Sequence, residues 1–215
     1  MTTFSRWTAR VGALMLAAAA LAGCGINAIP TKQEAAKAAW ADVQAQYQRR
    51  SDLIPNLVET VKGYATQERT VLTQMTQARA SATQVKVDAS TITDPAAFQR
   101  YQAAQNQLTG VLGRLLAISE NYPDIKSNQN FLALQSQLEG TENRIAVARR
   151  DYNEAVRDYN TSLRTFPTIL WAKTAYASAK PMQLFEATEA AQAAPKVSFA
   201  PPAAAPQAPT PARAQ

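Results

Sequence analysis

The chain has 215 residues, with 22 Lys and Arg against 16 Asp and Glu, a net charge of +6, one cysteine and no histidine. Without histidine there is no Ser-His-Asp or Cys-His catalytic group, no usual zinc site, and no Glu-x-x-His pair of the kind that builds di-iron centres in bundles. One cysteine excludes an internal disulfide, so packing must hold the fold.

The cysteine lies in the first recognisable segment. Arg6 and Arg10 precede an apolar run over 11–22, and Leu21-Ala22-Gly23-Cys24 closes it. A positive start, an apolar middle and small residues before the cut are the parts of an export signal. With cysteine next, the segment resembles a bacterial lipoprotein signal, which would be removed as residues 1–23 and leave Cys24 acylated. Two or three acyl chains hold a protein on a bilayer where a single myristoyl chain binds only marginally. Two other readings compete. An uncleaved membrane helix is suggested by the lack of charge between Arg10 and Lys32, although the glycines, Asn27 and Pro30 in that gap weigh against it. The other is a free cysteine after a chance alanine run. Lipidation is favoured, and Gly25 in place of an aspartate leans towards the outer membrane. Loss of residues 1–23, which carry Arg6, Arg10 and no acid, leaves a net charge of +4.

Residues 24–30 read as a linker. The segment Thr31-Lys32-Gln33-Glu34 fits a capping box and predicts the start of a helix. Trp40, Val43, Tyr47, Ile54, Leu57, Val61, Tyr64, Val71, Met75 and Ala78 then keep one helical face. The phase continues through Pro55, so one long helix kinked at Leu53-Ile54-Pro55 is expected. Arg50 and Glu68 fall on the apolar face; the favoured expectation is that their stems pack while their charged heads reach water, and the alternative is a partly buried charge paired with another helix. Residues 83–93 connect to a second helix opened by Asp94-Pro95, an N-cap followed by proline at the first helical position. Phe98, Tyr101, Leu108, Val111, Leu112, Leu115 and Ile118 form its apolar face, and Asn121-Tyr122-Pro123-Asp124 reads as a turn.

A third helix is expected over 128–165. Phe131, Leu138, Ile145, Tyr152, Tyr159 and Phe166 recur every seven residues, with Leu134, Thr141, Ala148, Ala155 and Ser162 in the second seam position. Such a heptad seam also allows an oligomer. A short apolar segment over 169–176 is expected to cap one end. The Ala/Pro-rich stretch over 186–215 reads as a disordered tail, because it lacks the apolar surface to fold.

The fold class is therefore all-α: an elongated antiparallel bundle of long helices with a short C-terminal helix. No catalytic set emerges. Glu139 with Glu142 and Asp151 with Glu154 share a helix face with an arginine nearby and read as surface ion pairs. Gly110-x-x-Gly113 reads as a helix contact. Scattered basic residues, including the pairs Arg49-Arg50 and Arg149-Arg150, lack the clustering and stacking aromatics of a nucleic-acid binder. No cofactor and no metal site is expected. The one polar cluster that suggests a partner surface is Arg50, Asp52, Asn56 and Glu59, around Pro55.

Two stretches resemble the LemA family. One runs from Arg49-Arg50-Ser51-Asp52-Leu53-Ile54-Pro55-Asn56-Leu57-Val58-Glu59 to Gly63-Tyr64-Ala65. The other contains Asn121-Tyr122-Pro123, Asn130-Phe131, Leu138-Glu139-Gly140-Thr141-Glu142-Asn143-Arg144-Ile145, Ala148-Arg149-Arg150, the pairs Tyr152-Asn153 and Tyr159-Asn160, and Phe166-Pro167. The resemblance covers about residues 31–185. It implies a membrane-anchored helical bundle without known catalysis, sometimes accessory to an envelope protease or a stress response. Family members typically begin with an uncleaved membrane helix, whereas this chain has a lipoprotein-like signal. The resulting expectation is a non-enzymatic envelope lipoprotein, held to the membrane through Cys24, that scaffolds unidentified envelope proteins. A peptide or small-ligand binding module is the alternative, and an enzyme using carboxylates alone is the least favoured reading.

Overall fold

The computed structural model describes residues 25–85, 88 and 90–186, together with Gly12. Cys24, the rest of the signal segment and residues 187–215 lie outside the described residues. From residue 25 on, the described residues form six helices in order: α1 (Ala28–Tyr64), α2 (Arg69–Gln84), α3 (Pro95–Ser119), the single turn α4 (Pro123–Lys126), α5 (Gln129–Ser162) and α6 (Thr168–Lys173). No strand occurs among the described residues. The fold is all-α, as the sequence pattern predicts. Helices α1, α2, α3 and α5 run alternately up and down. The 37 residues of α1 span about 55 Å, and α1 pairs with α5 while α2 pairs with α3.

Helix α1 starts at Ala28, three residues before the expected capping box, with Asn27 at the N-cap and Thr31 N–H donating to the Asn27 carbonyl at 3.1 Å. Pro30 fits there because the first-turn N–H groups have no helical acceptor in any case. Glu34 is thus released from capping and pairs with Lys37 at 2.7 Å. The second expected feature, one long helix kinked at Pro55, is also corrected. Helix α1 passes through Pro55 and ends at Tyr64; the chain reverses over Ala65–Glu68 and α2 returns along α1. Core spacing survives the reversal (Val61, Ala65, Leu72, Met75, Ala78 and Ala82 are all buried), which is why periodicity alone did not reveal it.

Proline at 55 leaves the Ser51 carbonyl without its helical N–H donor. Arg79 on the returning α2 replaces that donor: its Nε–H donates to Ser51 O at 2.9 Å. Glu68, expected on the apolar face with its head in water, stands at the α2 N-cap and accepts a hydrogen bond from Tyr122 Oη at 3.0 Å. Other boundaries follow the sequence closely. Asp94 Oδ1 accepts from Ala96 N and Ala97 N, and Asn128 Oδ1 accepts from Asn130 N and Phe131 N. Helix α5 stops at Ser162, so Phe166 leaves the seam and is 79% exposed. Gly110 and Gly113 face open space rather than another helix.

The core divides in two. One half is aliphatic, built from Ile54, Leu57, Val61, Met75, Leu108, Leu115, Ile125 and Leu138 beneath α2. The other is aromatic, built around Trp40, Tyr47, Phe98, Tyr101, Tyr152 and Phe185. Helix α2 has only 16 residues and covers the aliphatic half alone. Over the aromatic half its place is taken by an extended C-terminal segment, residues 180–185, whose Met182 and Phe185 are buried. Helix α6 closes that end, with Trp171, Ala172 and Tyr176 packed on the same cluster.

Candidate functional site: a buried arginine layer, two tyrosine–asparagine clamps and an open seam

Arg50 occupies the boundary between the two cores. It is 1% exposed, which corrects the expectation that its head reaches water. The guanidinium finds partners on two neighbouring helices. Nη1 donates to Thr109 Oγ1 at 2.6 Å and to Glu142 Oε1 at 2.9 Å; Nη2 donates to Gln105 Oε1 at 2.7 Å and to the Gln105 carbonyl at 3.3 Å. The Tyr47 ring lies 5.0 Å from the guanidinium carbon. Gln105 Nε2 in turn donates to the Ala82 carbonyl near the end of α2. A charge this deep is tolerated only when paired and hydrogen-bonded. The fork geometry of arginine supplies enough donors to tie α1 to α3 and α5 in one layer. Glu142 is therefore not a surface partner of a neighbouring arginine; it bridges to Arg50 across helices.

The remaining members of the expected partner cluster face outwards. Asp52 is exposed and accepts from Gln48 Nε2 at 2.7 Å. Asn56 and Glu59 are exposed, with Glu59 paired to Lys62 at 3.4 Å. Arg50 is thus separated from Asp52, Asn56 and Glu59, while Asn56 and Glu59 stay together. They line a groove of about 470 Å³ with Thr60, Asn130, Leu134 and Gln137. A second cavity of about 340 Å³, bordered by Asp42, Gln46, Arg144, Val147 and Asp151, lies further along the same α1–α5 seam. Both are lined by α1 and α5 alone. Glu139 takes a hydrogen bond from Gln135 and Asp151 pairs with Arg150 at 3.0 Å, so neither acid pair converges on a common point. Among the described residues no group of three His, Cys, Asp or Glu is placed to hold a metal.

The Tyr-Asn pairs of α5 grip the extended segment by its backbone. Asn153 Nδ2 donates to the Phe185 carbonyl and Asn153 Oδ1 accepts from the Phe185 N–H, both at 2.9 Å. Asn160 makes the same two bonds to Met182, at 2.8 and 2.9 Å. Tyr152 Oη donates to the Gln183 carbonyl at 2.8 Å and Tyr159 Oη to the Lys180 carbonyl at 3.1 Å. The registers match: seven helical residues rise about 10.5 Å, and three extended residues rise about 10 Å. Gln183 N–H completes the attachment by donating to the Ile92 carbonyl at 2.7 Å. The side chain of Phe185 packs against Trp40, Phe98 and Tyr152 with centroids 4.9 to 5.9 Å apart, and the Arg149 guanidinium lies 4.5 Å from its ring centre. Burial pushes the hydroxyls of Tyr101, Tyr152 and Tyr159 above their ordinary value of 10.0. It does the same at Tyr47 against the opposing pull of Arg149 and Arg50. Sequence reading placed the two tyrosines in the seam but missed the asparagines' task. The seven-residue Tyr-Asn repeat was the available signal.

A family model described as the LemA family matches residues 39–199, which spans the arginine layer, both clamps and the clamped segment. The chain belongs to the LemA family. The match runs beyond residue 185, where the sequence pattern ends the helical domain. LemA of Metamycoplasma hominis is 26% identical over 111 residues, covering 52% of this chain and 47% of that protein. The magnetosome protein MamQ of Magnetospirillum gryphiswaldense is 25% identical over 143 residues, covering 59% of this chain and 53% of that protein. MamQ 2 of Paramagnetospirillum magneticum is 25% identical over 145 residues, covering 60% and 53%. The LemA-family chain described here thus spans about half the length of the curated relatives it matches.

Proposed function

We propose that this LemA-family protein is a non-enzymatic envelope lipoprotein, attached through an acylated Cys24 with its bundle outside the cytoplasm, that serves as a helical scaffold or adaptor. One observation carries the adaptor reading. The α1–α5 seam offers grooves of about 470 and 340 Å³ to solvent, while Arg50 and the Tyr-Asn pairs are engaged by the chain itself. A bundle braced from within, with a long polar and apolar seam left open, suits docking of another protein better than chemistry. Attachment rests on the Leu21-Ala22-Gly23-Cys24 pattern. No described helix is long and apolar enough to cross a membrane.

The test has two arms in intact cells. Labelling with a palmitate analogue should mark the wild-type chain and not Cys24→Ala, which should leave the membrane fraction. A photocrosslinker at Glu59 should give one recurrent protein adduct that Asn56→Ala weakens and that a crosslinker at Gly113, on α3 and outside the seam, does not form. An unlabelled chain overturns the attachment; identical adducts from both positions, or none, overturn the adaptor role. A second reading, a peptide or small-ligand module accessory to an envelope protease or stress response, is supported by Asn56 and Glu59 sharing the larger groove. It fails if purified full-length protein never retains a ligand that Asn56→Ala releases.

A further inference from the structure

Gly25, the first residue after Cys24, is buried against α6: a Cβ built there would lie 3.6 Å from both Thr168 Cγ2 and Trp171 Nε1. Gly25 O accepts from Ala28 N at 3.2 Å, fixing the turn that leads into α1. Cys24, the residue proposed to carry the lipid, is bonded to Gly25 and is therefore attached at the α6 end. The two most exposed large hydrophobic side chains among the described residues flank the start of α6: Phe166 at 79% just before it and Leu170 at 56% within it. Single exposed apolar residues are ordinary on a protein surface. Two so close in sequence, at the end where Cys24 is attached, are not explained by the fold, because neither contributes to either core cluster.

The charge of the segment from the end of α5 to Phe185 is one-sided. From Tyr159 to Phe185 the sequence carries Arg164, Lys173 and Lys180 and no acid, and all three cations are exposed. The acids closest in sequence on the flanking helices are Glu34, already paired with Lys37, and Asp158. Trp171 and Tyr176 lie half-buried alongside. Protruding apolar side chains, amphipathic aromatics and a collar of cations are the features that settle at the headgroup boundary of a membrane carrying anionic lipids.

We infer that the α6 end, through Phe166, Leu170 and its cations, docks on the surface of the lipid leaflet that holds the N-terminus, so that the bundle meets the membrane by a defined end. The inference rests on the proposed membrane attachment and adds an orientation to it: the open seam around Asn56 and Glu59 is held away from the bilayer, towards the far end of α1. A lipid anchor alone leaves the bundle free to tumble on its tether; a second contact removes that freedom.

The experiment uses the full chain in cell membranes with a photoreactive phenylalanine analogue at position 166, 170, 64 or 132. Tyr64 and Leu132 are also exposed, so all four substitutions spare the core. Illumination, digestion and mass spectrometry then score phospholipid adducts. The expected result is adducts at 166 and 170 and none at 64 or 132. A chain that fractionates with membranes but gives no adduct at 166 and 170, or equal adducts at all four positions, overturns the docking surface and leaves the attachment standing. A chain found in the soluble fraction overturns the attachment and the docking surface together.

Discussion

The two halves of the bundle fill the same architectural position by different means. Over the aliphatic half the fourth position is a helix, α2, whose backbone groups are satisfied internally and whose side chains only need to be apolar at the right spacing. Over the aromatic half it is an extended segment with no ladder of its own, so its peptide groups must be met from outside. Six side-chain bonds from Tyr152, Asn153, Tyr159 and Asn160 meet them. The difference teaches that an extended segment can replace a helix against a bundle when a heptad-spaced polar pair on the facing helix matches its rise. The buried Arg50 layer marks where one solution gives way to the other.

The largest effect on this comparison should come from Phe185→Ala, which empties the centre of the aromatic half. A cost of about 3–5 kcal/mol is expected, read as a lower midpoint in urea unfolding. The loss should be concentrated at the aromatic end, with the α1–α2 hairpin still protected from hydrogen exchange. Next, Asn153→Ala or Asn160→Ala removes two bonds and strands a buried N–H and carbonyl, costing about 1–3 kcal/mol each. Asn→Asp should not rescue either site, since a carboxylate accepts from the N–H but has no donor for the carbonyl.

How much of this was legible in the sequence depends on which physical signal each feature leaves. Helical faces, the Asp94 and Asn128 caps and the heptad seam are local and periodic, and they were readable. The reversal at Ala65–Glu68 was not, because the turn preserves the spacing of buried residues. Arg50 announced itself as a charge on an apolar face, but its fate depended on Gln105, Thr109 and Glu142, which lie far away in the chain. The clamped segment had no periodicity to find: side-chain bonds to backbone place no demand on the identity of the residues gripped, and only Met182 and Phe185 hint at burial. Of the four residues expected to form a partner surface, Asn56 and Glu59 share a groove, Asp52 stands apart from it, and Arg50 was drawn inside by partners that no local pattern reveals.

Two smaller effects sharpen the contrast. The aromatic half holds Tyr47, Tyr101, Tyr152 and Tyr159, whose phenol protons are held more tightly in the fold than in the unfolded chain because burial disfavours the phenolate. The stability they contribute is complete below the unfolded value of 10.0 and falls as pH rises past it. Alkaline unfolding should therefore coincide with tyrosinate absorbance and begin in this half. In the aliphatic half, Arg79→Ala should cost about 1 kcal/mol by removing the donor to Ser51 O. The cost should shrink in a Pro55→Ala background, where the helix supplies its own donor; additive losses in this double-mutant cycle would show that Arg79 does not compensate for the proline.

The claim that residues 180–185 are a structural member of the bundle is tested most directly by amide hydrogen exchange at Met182, Gln183 and Phe185, whose N–H groups donate to Asn160, Ile92 and Asn153. The prediction is protection equal to that of the α5 amides around Tyr152, lost together with it as denaturant is added. Exchange at the rate of an unstructured peptide, while α5 stays protected, would contradict it.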